Sequence, residues 1–345
     1  MHRVALVVLA LAGLGLAFAG AAWPSDSAAE GQNGYPRAGH VYERVRPVPA
    51  FQPEPASDAG GAAVIGVDGR VRITDTASFP WSAIAYLELY DEFDEQLGTC
   101  TGTFISPAVL LTAGHCLYDI DTGWVENIRV VPGKDGAFEP FGYAWAEVWW
   151  VPDAWYATGG DDWDWGLIVL GDGSPGEEVG WLTVAVLSTS TLSLPDIEPA
   201  IVGYPGDRPD GTMWFGYQPA FLAVEPYVLV HQIDTAPGQS GSAVILTNTT
   251  NRSQLLGYVV GVHVRGVGSQ GYNEAMRIDE ELLNDILEGC RQMDCWFDYV
   301  VEEVPTPTAT ATPTRTPTPT ATPTSTPTRP AGGGVSIRVP QVARD

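Results

Sequence analysis

Three short segments carry side chains able to perform nucleophilic catalysis, and they follow one another in the order His, Asp, Ser. Leu111-Thr112-Ala113-Gly114-His115-Cys116 places an imidazole directly after an apolar run. Asp161-Asp162-Trp163-Asp164-Trp165-Gly166 sets three carboxylates at the mouth of the apolar stretch 167–170, where a buried charge would need a partner. Pro237-Gly238-Gln239-Ser240-Gly241-Ser242 flanks a serine with glycines, which let the backbone approach a ligand closely. Taken singly, each has a bland reading: a packed histidine, a solvated acidic turn, a simple bend. Together they have a chemical logic. A serine hydroxyl is a poor nucleophile until an imidazole accepts its proton, and that imidazole needs a carboxylate to fix its tautomer and orientation. His115 is the candidate base, Ser240 the candidate nucleophile, and Asp161, Asp162 and Asp164 compete for the third role. The backbone N–H groups of Gly238 and Ser240 are candidate donors to an oxyanion, each worth about 3 kcal/mol.

The elements that must position these groups read as short strands. The chain has 345 residues, 45% of them hydrophobic, with 39 Gly and 28 Pro, which argues for a large core and many turns and against a long-helix bundle. Runs rich in β-branched and aromatic residues recur at 81–89, 103–111, 128–131, 144–151, 167–170, 200–203, 227–233, 242–246 and 256–264. Such spacing predicts an all-β sandwich or barrel, not alternating β-α units. One helix is predicted over 279–288, with Asp279 as N-cap, Leu282, Leu283, Ile286 and Leu287 on one face, and Gly289 as its stop.

Charge and ends narrow the function further. A formal net charge of −25 would repel a phosphate backbone, so nucleic acid is excluded as a partner. Residues 1–19 read as a signal peptide with a small-x-small cleavage site at Ala17-Phe18-Ala19, the alternative being a membrane anchor. No later stretch is apolar over about 18 residues, so the mature form is expected without a transmembrane segment. Residues 20–63 are rich in Pro, Ala, Gly and Ser and read as a linker or pro-segment. Residues 299–331 form a Thr/Pro-rich linker, inert or a stalk, and 332–345 a short tail that is a candidate attachment to the cell surface. Secretion and a monomer are expected. The four cysteines, Cys100, Cys116, Cys290 and Cys295, lack C-x-x-C spacing, and their even number in an exported chain suggests disulfides. No metal or other cofactor is expected, since no loop has calcium-ligand spacing.

The blocks Thr112-Ala113-Gly114-His115-Cys116, Asp164-Trp165-Gly166-Leu167-Ile168-Val169-Leu170 and Gly238-Gln239-Ser240-Gly241-Ser242-Ala243-Val244 resemble chymotrypsin-like serine proteases, and more closely the bacterial glutamyl endopeptidases. Val64-Ile65-Gly66-Val67-Asp68-Gly69-Arg70 is similar to that family's mature N-terminus. Cys100-Thr101-Gly102-Thr103, Gly203-Tyr204-Pro205-Gly206-Asp207 and Ile233-Asp234-Thr235 match further family segments, so the likeness spans about residues 64–287. The resemblance implies two six-stranded antiparallel β-barrels with a C-terminal helix, within a protease domain at 64–298. It implies His115, Asp164 and Ser240 as the triad, since Asp164 stands where the family pattern puts the acid. It implies Thr235, His263 and the amino group of Val64 as the site for a substrate carboxylate, hence cleavage of proteins or peptides after Glu, with Asp weaker. Pro237 departs from the glycine common in relatives and puts the oxyanion loop's geometry in question. Arg265, the nearest basic side chain, is set on the strand face opposite His263. Cys100–Cys116 and Cys290–Cys295 are the expected bridges. A protease of other specificity and a non-catalytic binding module on the same fold are the competing readings.

Overall fold

The short β-branched runs become strands in the computed structural model, which describes residues 39–43, 64–171, 174–248, 251–267 and 270–302. Six of them, Ile84–Tyr90, Gln96–Phe104, Val109–Thr112, Asn127–Pro132, Ala144–Pro152 and Gly166–Leu170, pair antiparallel. Ala144–Pro152 pairs with both Gly166–Leu170 and Asn127–Pro132, so the six close into a ring. Every residue of Ile84–Tyr90 is buried, which explains why this strand reads as a continuous run with little alternation. The predicted run 103–111 is in fact two strands. It breaks around Ser106-Pro107, where the Ser106 hydroxyl accepts from the Ala108 and Val109 N–H groups and turns the chain.

A seventh strand falls within residues 20–63, the stretch read as a linker or pro-segment. Gly39–Glu43 pairs antiparallel with Val148–Pro152, on the edge that Asn127–Pro132 occupies only as far as Trp145. An unpaired strand edge is a template for another β-prone segment, and His40-Val41-Tyr42 is one.

The second sheet has ten strands, not six. Its path runs Ala223–Val224, Val228–His231, Tyr272–Arg277, Asn251–Val267, Ala243–Asn248, Ile197–Gly203, Trp214–Tyr217 and Val71–Arg72. Thr183–Val186 lies parallel to both Asn251–Val267 and Tyr299–Val301. Among the described residues no pairing joins the two ends of this path. Tyr299–Val301 also carries the fold past residue 298, where the sequence reading ended the domain.

The helix forms where its N-cap predicted. The Asp279 carboxylate accepts from the Leu282 N–H at 2.8 Å. Its C-terminal end differs: the helix spans Glu280–Gln292 and passes through Gly289. A Cβ at Gly289 would stand 3.0 Å from the Trp150 ring and 3.1 Å from Leu167, so this glycine permits close helix–strand packing and does not stop the helix. Both expected disulfides are present, Cys100–Cys116 and Cys290–Cys295. Among the described residues no helix is long and apolar enough to cross a membrane. The Thr/Pro segment from residue 303 onward, the tail and residues 1–38 lie outside the described residues.

Candidate active site

The two sheets meet at the serine turn. Thr101, on the strand Gln96–Phe104 of the first sheet, donates its N–H to the Ser240 carbonyl at 2.9 Å and its hydroxyl to the Gly238 carbonyl at 2.9 Å. The same hydroxyl accepts from the N–H of Tyr204, just beyond Ile197–Gly203 of the second sheet, at 3.1 Å. A Cβ at Gly241 would lie 2.1 Å from the Thr112 hydroxyl and 2.3 Å from the Thr101 carbonyl. Glycine there lets the serine turn press against the strand that leads into His115. Ser240 itself is 4% exposed.

His115 sits in the 3-10 turn Gly114–Cys116, and the Cys100–Cys116 disulfide ties that turn to the neighbouring strand. The Asp164 carboxylate accepts twice from the same residue, from the His115 backbone N–H at 2.9 Å and from ring Nδ1 at 2.8 Å. Anchoring backbone and ring together fixes the imidazole plane and holds the ring proton on Nδ1, which leaves Nε2 as the acceptor. Burial favours the neutral ring, yet Asp164 outweighs it and holds the His115 pKa above the usual 6.5. Asp164 is the one of the three competing acids bonded to His115. Asp161 and Asp162 are exposed, and Asp161 pairs with Arg265 at 3.3 Å.

The candidate oxyanion segment is held from behind. Gly238 has φ +93°, and a Cβ there would meet the Tyr204 carbonyl at 2.5 Å. The Pro237 carbonyl accepts from the Gly206 N–H at 2.7 Å. Because C=O and N–H of a trans peptide point oppositely, this bond turns the Gly238 N–H away from the Tyr204–Gly206 loop. Pro237 therefore fits the segment it departs from: the residue gives its carbonyl to the loop, and the bond uses no N–H of its own.

Thr235 and His263 are both fully buried. His263 pairs with the serine turn, accepting from the Gly241 N–H and donating its own N–H to Ser242 O, each at 2.8 Å. Among the described residues, no hydrogen bond of good geometry reaches the buried Thr235 Oγ1 or either buried ring nitrogen of His263. Burial pushes the His263 pKa down to about 3, so the ring is neutral at working pH. Next to Thr235, the Asp234 carboxylate accepts from the Ile65 N–H at 2.7 Å and the Gly69 N–H at 2.7 Å, which brings Val64 to this part of the molecule. Val64 is itself 41% exposed. Arg265 stands two residues from His263, and a regular strand would put both on one face. A register shift between them, with ion pairs from Arg265 to Asp161 and Glu274, separates the two side chains instead.

One buried imidazole escaped the sequence reading. His231 ends the strand Val228–His231, is fully buried, and packs edge-on against His263 with ring centroids 5.4 Å apart. Burial, then the neighbouring His263, keep it neutral. Its signal was present: a histidine closing an apolar run just before Ile233-Asp234-Thr235.

Comparisons with known proteins fit this geometry. The family model described as Trypsin matches residues 71–189. The glutamyl endopeptidase of Bacillus licheniformis is 34% identical over 225 residues, covering 65% of this chain and 67% of that one. The chain belongs to the glutamyl endopeptidase family of trypsin-like serine proteases. Like its family, it is a serine endopeptidase. An extracellular metalloprotease of Bacillus subtilis, so named, is 33% identical over 226 residues, covering 65% of this chain and 69% of that one. Among the described residues the one grouping with ligand-like proximity is Cys100, His115 and Cys116, and it does not fit a metal, since both sulfurs are committed to a disulfide. Among solved structures, a Glu endopeptidase in complex with MPD superposes with a TM-score of 0.56 at 26% identity, covering 65% of this chain and 98% of that one. The protease Anisep of Arthrobacter nicotinovorans shares the fold, with a TM-score of 0.51 at 18% identity over 62% of this chain and 98% of that one.

Proposed function

We propose that this serine endopeptidase cleaves peptide bonds after Glu, and more weakly after Asp, through His115, Asp164 and Ser240. Ser240 Oγ attacks the scissile carbonyl while His115 Nε2 takes its proton, and the N–H groups of Gly238 and Ser240 stabilise the oxyanion. The imidazolium, held by Asp164, then protonates the leaving amine, and water hydrolyses the acyl-enzyme by the same steps in reverse order. The observation that supports the specificity is the set of buried polar atoms beside the serine turn, Thr235 Oγ1 and the His263 ring nitrogens, that no described residue pairs with good hydrogen-bond geometry. Buried polar groups are costly unless paired, and a substrate carboxylate is an acceptor that pairs with them. His263 is neutral and donates one N–H, so the positive charge falls to the amino group freed at Val64, which the Ile65–Asp234 bond holds nearby. On this reading 1–19 direct export, 20–63 keep the zymogen inactive by withholding that amino group, and the tail after the protease domain is a spacer. The Bacillus subtilis relative, named an extracellular metalloprotease, supports secretion.

Mass spectrometry of a mixed peptide library cut by the enzyme and by Ser240→Ala tests this reading. Cuts after Glu that vanish in Ser240→Ala are expected. Cuts surviving in the variant would remove the nucleophile assignment, and cuts with no acidic preference would remove the pocket.

A further inference from the structure

Arg70 lies six residues after Val64, and its side chain is fully buried in a strongly acidic chain. All of its donors are engaged. Nε and Nη2 bond the Asp68 carboxylate at 3.1 and 2.8 Å, while Nη1 and Nη2 bond Asp207 at 3.0 and 2.5 Å. Nη1 also reaches Gln239 Oε1 at 3.3 Å, and that same oxygen accepts from the Ala236 N–H at 3.1 Å. Gln239 separates Gly238 from Ser240, the two residues whose N–H groups form the oxyanion site in the reading above. Asp207 follows Gly206, whose N–H holds the Pro237 carbonyl. The guanidinium therefore grips the oxyanion segment from two directions, through the Gln239 side chain and through the loop that orients the Pro237–Gly238 peptide. Both grips come from the segment that starts at Val64, which the Asp234 bonds to Ile65 and Gly69 strap in place.

We infer that Arg70 is a positioning residue for the oxyanion site, setting the Gly238 and Ser240 N–H directions through Gln239 and Asp207. It touches no reacting atom. A planar fork can satisfy three partners at fixed angles, whereas an ammonium cannot, so lysine is not an adequate replacement. Losing one well-placed oxyanion donor costs about 100- to 1,000-fold in turnover, and losing its alignment while keeping the donor should cost part of that, about 10- to 100-fold.

The inference rests on the assignment of Ser240 and Gly238, and the experiment separates the two. Arg70→Ala, Arg70→Lys, Gln239→Met and Ser240→Ala are compared with the mature enzyme for kcat, KM and affinity for a peptide boronate, which binds as a tetrahedral oxyanion mimic. In Arg70→Ala and Gln239→Met, kcat and boronate affinity should fall together by about 10- to 100-fold while KM stays within about threefold. Arg70→Lys should remain impaired, and added guanidinium should restore Arg70→Ala in part while leaving Ser240→Ala inactive. Equal loss of boronate and product binding, or unchanged kcat with only a lower melting temperature, would overturn the inference. If Arg70→Ala does not fold, Gln239→Met decides alone, and wild-type kcat in that variant refutes the role. Activity in Ser240→Ala would instead refute the underlying site.

Discussion

Replacing Asp164 by Asn removes one charge while keeping the side chain's size, and the structure fixes what should follow. The carboxylate lies 2.8 Å from His115 Nδ1, in a position only 6% exposed. A charge pair about 4 Å apart is worth about 4 kcal/mol at a dielectric of about 20. In the wild type that attraction outweighs burial and raises the His115 pKa. Without it burial is opposed only by the weaker pull of Asp119, so the pKa should drop. The base form is the active form, so the acid limb of the pH profile should move to lower pH. Plateau activity should nevertheless fall by about 10⁴-fold, because an amide N–H facing Nδ1 forces the ring proton onto Nε2. The assay is the rate of Ser240 phosphonylation by a neutral fluorophosphonate across pH, which avoids titration of the substrate's own carboxylate. The raised pKa also has a stability consequence: the His115–Asp164 contribution is complete below pH 6.5 and lost as pH rises through the folded value. An acid limb that stays put in Asp164→Asn, with turnover reduced or not, would refute the electrostatic account of this pair.

Two further predictions concern packing and buried charge. Gly241→Ala meets the Thr112 hydroxyl at 2.1 Å and sits at φ +83°, so left-handed strain and overpacking together should cost about 2–5 kcal/mol, read by denaturant unfolding; a loss under about 1 kcal/mol would contradict the close approach. Arg129 bonds Glu88 and Glu139 at 2.9 and 2.7 Å inside the first sheet, and Arg129→Ala should cost about 3–5 kcal/mol by leaving the buried Glu88 carboxylate to Lys134 at 3.4 Å and the Tyr90 hydroxyl at 3.1 Å. Burial opposes ionisation of Glu139, and hydrogen bonds from Arg129 and Lys134 overcome it, so its pKa is lowered. That stability is present above pH 4.5 and lost as pH falls through the folded value, and Arg129→Ala should flatten this part of the melting-temperature profile.

The sequence carried the site further than the fold around it. The candidate base His115 and nucleophile Ser240 stand in motifs short enough to read directly, whereas the acid stays open among Asp161, Asp162 and Asp164 until the family resemblance selects the last; the Asp279 cap and the amphipathic face after it are local signals that the structure repeats. What was missed depends on partners distant along the chain. Gly289 reads as a helix stop until Trp150 and Leu167 are seen against it. Residues 103–111 read as one strand although Pro107 and the Ser106 hydroxyl break it. The strand Gly39–Glu43 exists because Ala144–Pro152 leaves an edge open, and composition around it cannot report that. His231 and Arg70 take their meaning from His263, Asp207 and Gln239, none of which is near in sequence.

The measurement that bears most directly on the central claim is kcat/KM for matched peptides differing only in Glu or Gln before the scissile bond, in the mature enzyme and in His263→Ala. The wild type should favour Glu strongly. His263→Ala should lower kcat/KM for the Glu peptide by about 30- to 1,000-fold, or about 2–4 kcal/mol, with a much smaller loss for Gln. Because the His263 pKa lies near 3, that preference should not fade as pH rises through 6.5. A wild-type enzyme that cleaves after Gln, Leu or Phe as readily as after Glu, or a variant that loses both substrates equally, would contradict the assignment of His263 and Thr235 as the carboxylate site.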